Sequence, residues 1–118
     1  MATLAPKLLS TQTRGESILI AGTATGNTLV HTGPSSATTW QDIFIKIVGV
    51  DAVAYDYTIE VGVSGTQTIV AYGTVPAKAG SITEKIRIQG NATPPIVNVF
   101  ASTTNKLRVS GEVQEYVA

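Results

Sequence analysis

Tyr55-Asp56-Tyr57-Thr58-Ile59-Glu60-Val61-Gly62-Val63 places an apolar residue at every odd position and a polar residue or Gly at every even one. Side chains alternate across a β-strand, so this period of two is the mark of a strand with one buried face. The same period recurs on either side. Ile43, Ile45 and Ile47 share one face of a segment at 40–49, and Ile82, Ile86 and Ile88 share one face of a segment at 81–89. Further short segments at 16–23, 28–32, 67–75, 96–102 and 106–117 bring the number to eight, separated by turns rich in Gly, Pro, Asn and Ser. Eight short strands in sequence predict an all-β fold, an antiparallel two-sheet sandwich with jelly-roll or Ig-like winding.

The turns add detail. Gly26-Asn27 has Gly at the first turn position and predicts a II′ hairpin joining 16–23 to 28–32, and Ser64-Gly65 closes Val63 onto Gln67. Longer connections at 33–37, 49–54, 76–80 and 90–95 supply the crossings between sheets. The core is expected where the faces Ile43, Ile45, Ile47, then Tyr57, Ile59, Val61, Val63, then Ile82, Ile86, Ile88 meet, joined by Leu107, Val109 and Val113. Burying each such side chain contributes about 1.5–3 kcal/mol. Glu84 falls on the inward side of its strand, where solvent or a Thr is the expected partner.

A chain of 118 residues has room for one core, read as an N-terminal arm at 1–14 and a sandwich domain at 15–118. The first segment carries Leu4, Leu8 and Leu9 without a sustained period. It reads equally as an arm to a neighbour or as a loose terminus or edge strand of its own sheet. Charged residues are only 14% of the chain, against roughly 25% in a typical soluble protein, and eight basic residues balance eight acidic ones. The basic residues are scattered, so no stripe exists to follow a phosphate backbone and nucleic acid is not an expected partner. Without Cys there are no disulfides or thiolate metal sites. Residues 1–10 lack a signal-peptide apolar region, and no run approaches a membrane span, so synthesis in a cytoplasm without a membrane partner is expected.

No set of residues for catalysis, a metal or a cofactor emerges. His31 is the only histidine and has no partner set of a triad or zinc site, so it reads as a strand residue with a satisfied ring. Asp51 and Asp56 flank a loop without calcium-loop spacing and read as solvated. Asn91-Ala92-Thr93 is formally a glycosylation sequon, which carries no weight without a secretion signal. Trp40, Tyr55, Tyr72 and Tyr116 offer faces for stacking on sugar, although core or subunit packing is the better reading. Phe44 and Val48 lie opposite the Ile43-Ile45-Ile47 face, and Val70 and Tyr72 interleave with Ile69 and Ala71, leaving strands apolar on both faces. Such strands call for a neighbour to cover them. Leu4, Leu8, Leu9, Trp40, Phe44 and Tyr72 are therefore the candidate partner-binding residues. No enzyme activity, cofactor or small-molecule ligand is expected.

The order of segments resembles small virion proteins of tailed bacteriophages. The residues that carry the likeness are Leu4-Ala5-Pro6-Lys7-Leu8-Leu9, Thr28-Leu29-Val30-His31-Thr32-Gly33-Pro34, Trp40-Gln41-Asp42-Ile43-Phe44-Ile45-Lys46-Ile47-Val48 and Asn105-Lys106-Leu107-Arg108-Val109-Ser110-Gly111-Glu112-Val113. The chain departs from that group at His31 and at Gly33-Pro34-Ser35, where an aromatic residue and Ala-Pro-Ala are more usual. The resemblance implies a capsid decoration (cement) protein on the virion exterior, a homotrimer whose partners are the major capsid protein and its own copies. A tail or baseplate structural protein and a carbohydrate-binding host-recognition module are the alternatives.

Overall fold

The structure, a computed structural model, describes residues 2–3, 6–78 and 80–117. Its described residues form ten strands: β1 (Ala2–Thr3), β2 (Lys7–Leu8), β3 (Ile18–Leu19), β4 (Leu29–Thr32), β5 (Thr39–Gly49), β6 (Tyr55–Gly62), β7 (Thr68–Val75), β8 (Ser81–Gln89), β9 (Ile96–Ala101) and β10 (Leu107–Val117). One sheet runs β1-β10-β5-β8, with β2 and β3 also paired to β10, and the other runs β4-β9-β6-β7.

The three first strands are pieces of one edge. Ala2 stands opposite Val117, Lys7 opposite Val113 and Ile18 opposite Val109, so β1, β2 and β3 lie in succession along the same antiparallel partner. Counted as a single strand, this edge brings the total to eight, ordered first-eighth-third-sixth in one sheet and second-seventh-fourth-fifth in the other. That interleaving winds a jelly roll; an Ig sandwich keeps its first two strands adjacent in one sheet.

Between the sheets lie Ile43, Ile45 and Ile47 of β5, Tyr57 and Ile59 of β6, Ile86 and Ile88 of β8, Val97 and Val99 of β9, and Leu107, Val109 and Val113 of β10, with Val61 and Ile82 packed at the margin. The alternation therefore assigns inside and outside correctly in the longest strands. Val63 departs from the expected core. Gly62 adopts φ +146, a conformation open to glycine, and the chain leaves the sheet there, which puts Val63 in the turn and exposes it. The predicted turn that follows is present: Thr66 N–H donates to Val63 O at 2.9 Å.

The chain turns one residue earlier than expected, over Thr25-Gly26, with Asn27 N–H donating to Ala24 O at 3.2 Å, and the turn does not close the expected hairpin. Its flanks belong to different sheets, β3 to the sheet of β10 and β4 to the sheet of β9. Gly22 O and Thr28 O both accept from β9, at Ala101 N–H and Val99 N–H, so the segment continues the line of β4 past its end while residues 23–27 lift away.

The N-terminal segment is built into the sandwich. Leu9 is 1% exposed within the core, and Gly111 of β10 makes room for it, since a Cβ on Gly111 would stand 3.1 Å from Leu9 Cγ. Leu9 is thus a core residue and not an anchor to a neighbour. Its buried environment supplies the contacts that the sequence pattern failed to locate.

Candidate interaction surfaces

Two polar clusters adjoin the core. In one, Ser10 N–H donates to His31 Nδ1 at 3.0 Å, which makes Nδ1 the acceptor and puts the ring proton on Nε2. Nε2–H then donates to Gln41 Oε1 at 2.7 Å, Gln41 Nε2 donates to Glu115 Oε1 at 2.9 Å, and Lys7 Nζ pairs with Glu115 Oε2 at 3.0 Å. The sequence reading of His31 as a satisfied strand residue describes what is found. Burial holds the His31 imidazole below its ordinary pKa, against the pull of the Gln41 hydrogen bond. Burial acts to raise Glu115, but the hydrogen bonds from Gln41 and Lys7 outweigh it and leave this carboxyl below the ordinary range. Ser10 Oγ also accepts Thr32 N–H at 2.7 Å, and Thr11 Oγ1 donates to Val30 O at 2.6 Å. The cluster thereby ties residues 7–11 to β4, β5 and β10, using one histidine whose two nitrogens are both engaged.

On the side of the sandwich where β7 approaches β8, Tyr57 reaches from β6 to β8, and its hydroxyl donates to Glu84 Oε2 at 2.6 Å. The partner of Glu84 is therefore a phenol, not the expected solvent or Thr. Tyr57 has the reach because β7 places Gly73 beside its ring, where an added Cβ would stand 3.0 Å from the hydroxyl. Burial, with the Glu84 carboxylate second, pushes the Tyr57 phenol up to about 12.

On the outward face of the first sheet, Asp42 is buried beneath Arg87, which donates Nε and Nη2 to its two carboxylate oxygens at 2.6 and 2.9 Å. This bidentate pair holds the Asp42 carboxyl below the ordinary range. Lys85 Nζ stands 5.6 Å from the centre of the Phe44 ring, within cation–π range. Asp51, read as solvated, instead organises its loop by accepting Val53 N–H and the Tyr55 hydroxyl at 2.9 Å each and Lys106 Nζ at 3.1 Å. Among the described residues no group of three or more His, Asp or Glu is placed to hold a metal ion.

The outward face of the second sheet carries the most exposed apolar side chains. Tyr72 is 76% exposed, and Ile69 and Val70 beside it are 58% and 47% exposed. A shallow groove next to them is lined by Asp56, Thr58, Ile69, Tyr72 and Thr74, with Thr74 Oγ1 donating to Asp56 Oδ1 at 2.6 Å. Under the raised loop at 23–27 the same face buries Glu60, which accepts Gly26 N–H at 3.2 Å, beside Asn98, whose amide atoms have no hydrogen-bond partner among the described residues.

The six candidate partner residues separate. Leu9 is in the core, Leu8 is 43% exposed on the composite edge, Trp40 and Phe44 share the outward parity of β5, and Tyr72 lies on the opposite sheet; Leu4 lies outside the described residues. Trp40 and Tyr116 stand opposite each other on β5 and β10 of the first sheet, whereas Tyr55 and Tyr72 belong to β6 and β7 of the second, so these four aromatics do not form a single stacking platform. Parity missed Ile69, whose position is reset by a bulge: Ile59 pairs with Ala71 but Glu60 pairs with Ile69, leaving Val70 as the extra residue. Compared with protein-family models, curated proteins and solved structures, the chain matches none.

Proposed function

We propose that this jelly roll is a structural protein of a tailed-phage virion, a decoration protein on the capsid exterior that covers joints between major capsid subunits. The observation that carries the reading is the placement of large apolar side chains on the outward faces of both sheets, Phe44 on one and Ile69 and Tyr72 on the other, in a domain whose inward polar groups are paired with one another. Faces of this kind are made to be covered by protein. The segment resemblance quoted above points to the same class. Each copy would bury modest area against more than one shell subunit, and repetition around the shell multiplies the gain.

Particles assembled without the protein should form but release their genome at lower temperature or milder osmotic shock than complete ones. Labelling confined to the tail, with capsid stability unchanged, refutes the cement reading in favour of a tail component. A saccharide-binding module is the second reading, and the groove beside Tyr72 favours it, because an exposed aromatic face next to the Asp56–Thr74 pair offers stacking and hydrogen bonding together. Glycan-array binding abolished by Tyr72→Ala would establish it.

A further inference from the structure

A jelly roll with open sheets has four strand edges, and an uncovered edge is a template for another strand. Three of the four are blunted here. The edge strand β8 carries Glu84, Lys85 and Arg87, the composite edge is broken into two-residue pieces, and β4 is four residues long with a bulge after Leu29. The fourth edge, β7, has eight residues, no charge and no Pro. Its bulge at Val70 interrupts the ladder, but Ala71 to Val75 pairs regularly with β6, and among the described residues no strand pairs with its other side.

We propose that β7 is the contact between two copies of this chain, joined antiparallel about a twofold axis through Gly73. A partner for this edge must supply backbone donors and acceptors together with uncharged side chains, because a charge brought against Ile69, Val70 and Tyr72 would lose its water without gaining an opposite charge on β7. The identical strand meets both conditions. The protein's net charge of zero adds no long-range repulsion between copies. Full overlap of the regular stretch centres on Gly73, so Tyr72 of each copy faces Thr74 of the other and Ala71 faces Val75. On the outward face each Tyr72 ring then crosses toward the groove at Asp56, Thr58 and Thr74 of its partner, and both exposed aromatics are covered. A twofold contact differs from the threefold one implied by the virion resemblance and does not rest on that reading.

Analytical ultracentrifugation of the full chain over a range of concentrations tests it. The wild type should dimerise, Tyr72→Lys should weaken the dimer at least about tenfold, as removal of a central aromatic anchor does, and Phe44→Lys on the other sheet should leave it unchanged. Because Tyr72 is exposed, circular dichroism should show Tyr72→Lys folded. The chain has no native Cys, so Tyr72→Cys/Thr74→Cys, held at a concentration raised far enough to offset the lost aromatic anchor, should under mild oxidation give a covalent dimer cross-linked at the facing positions. A wild type that stays monomeric or forms a trimer, a dimer that survives Tyr72→Lys, or a dimer in which the cysteine pair fails to cross-link would overturn the pairing.

Discussion

Leu9→Ala measures whether the N-terminal segment belongs to the core. Leu9 is 1% exposed and its neighbour Leu8 is 43% exposed, so the two substitutions remove the same atoms from opposite environments. Truncating a buried Leu loses about 0.8 kcal/mol for each of three carbons and adds a cavity cost, for a total of about 3 kcal/mol. Collapse of the site is limited, because the backbone of Gly111 that faces Leu9 is held between β5 and the N-terminal segment. An unfolding entropy of about 2.1 cal/mol/K per residue gives about 0.25 kcal/mol/K for a chain of this size, so the melting temperature should fall by about 12 °C. Leu8→Ala should lower it by no more than about 2 °C, as ordinary surface substitutions do. Differential scanning calorimetry on the two variants decides the matter. If Leu9→Ala melted with the wild type, or if the two variants fell equally, the segment would be an appendage and its docking along β10 wrong. Removal of residues 1–13 should likewise unfold the domain, since it deletes Leu9 and the Ser10 and Lys7 ends of the polar cluster together.

Acid should loosen the same region. Because burial depresses the His31 pKa, the neutral ring is the form that folding favours, and its stability contribution is complete above the ordinary value of 6.5 and declines as pH falls from there toward the lower folded value. Protonating Nδ1 also replaces the acceptor of Ser10 N–H by a donor. Urea midpoints should therefore drop between pH 7 and pH 5, and His31→Gln should remove that dependence, as no second histidine titrates. Tyr57 carries the opposite sign: its neutral phenol is favoured, so stability is retained below pH 10 and lost as pH rises toward about 12. Ultraviolet titration should show Glu84→Gln lowering that ionisation only in part, since burial is its larger cause. Ile59→Asp and Ile86→Asp place an unpaired carboxylate in the core at a cost of several kcal/mol, comparable with the whole stability of a small domain, and should abolish soluble folded protein; wild-type melting in either would reverse the inside-outside assignment.

The strands were legible wherever one face is buried over five or more residues, as in β5 and β6, because parity alone then sorts the side chains. The N-terminal segment was not, since two-residue pieces such as Lys7–Leu8 are too short to show a period. Gly26 does mark a turn, but as the second central residue of Ala24–Asn27 and not the first of a hairpin, because local turn chemistry does not say which sheet receives each flank. The polar cluster had an unused signal: Gln41 shares parity with Ile43, Ile45 and Ile47, and Glu115 shares parity with Val109 and Val113, so both point inward. What the chain order could not convey was that a histidine 10 residues from Gln41 and a glutamate 74 residues from it would meet there. The β7 surface was legible at Tyr72, but the bulge at Val70 shifted the register that parity needs.

β10 lies inside its sheet, between the composite edge and β5, although it follows every other strand in the chain. During synthesis β5 must therefore wait with one flank unpaired, and Leu9 has no wall to rest against, until residues 107–117 emerge from the ribosome. Pairings as distant as Ala2 with Val117 place the fold among those of high contact order, which form in milliseconds to seconds. In that interval the Ile-rich flank of β5 is open to strands from other nascent chains, and crowding on a polysome at high expression is where this sequence is most exposed to aggregation.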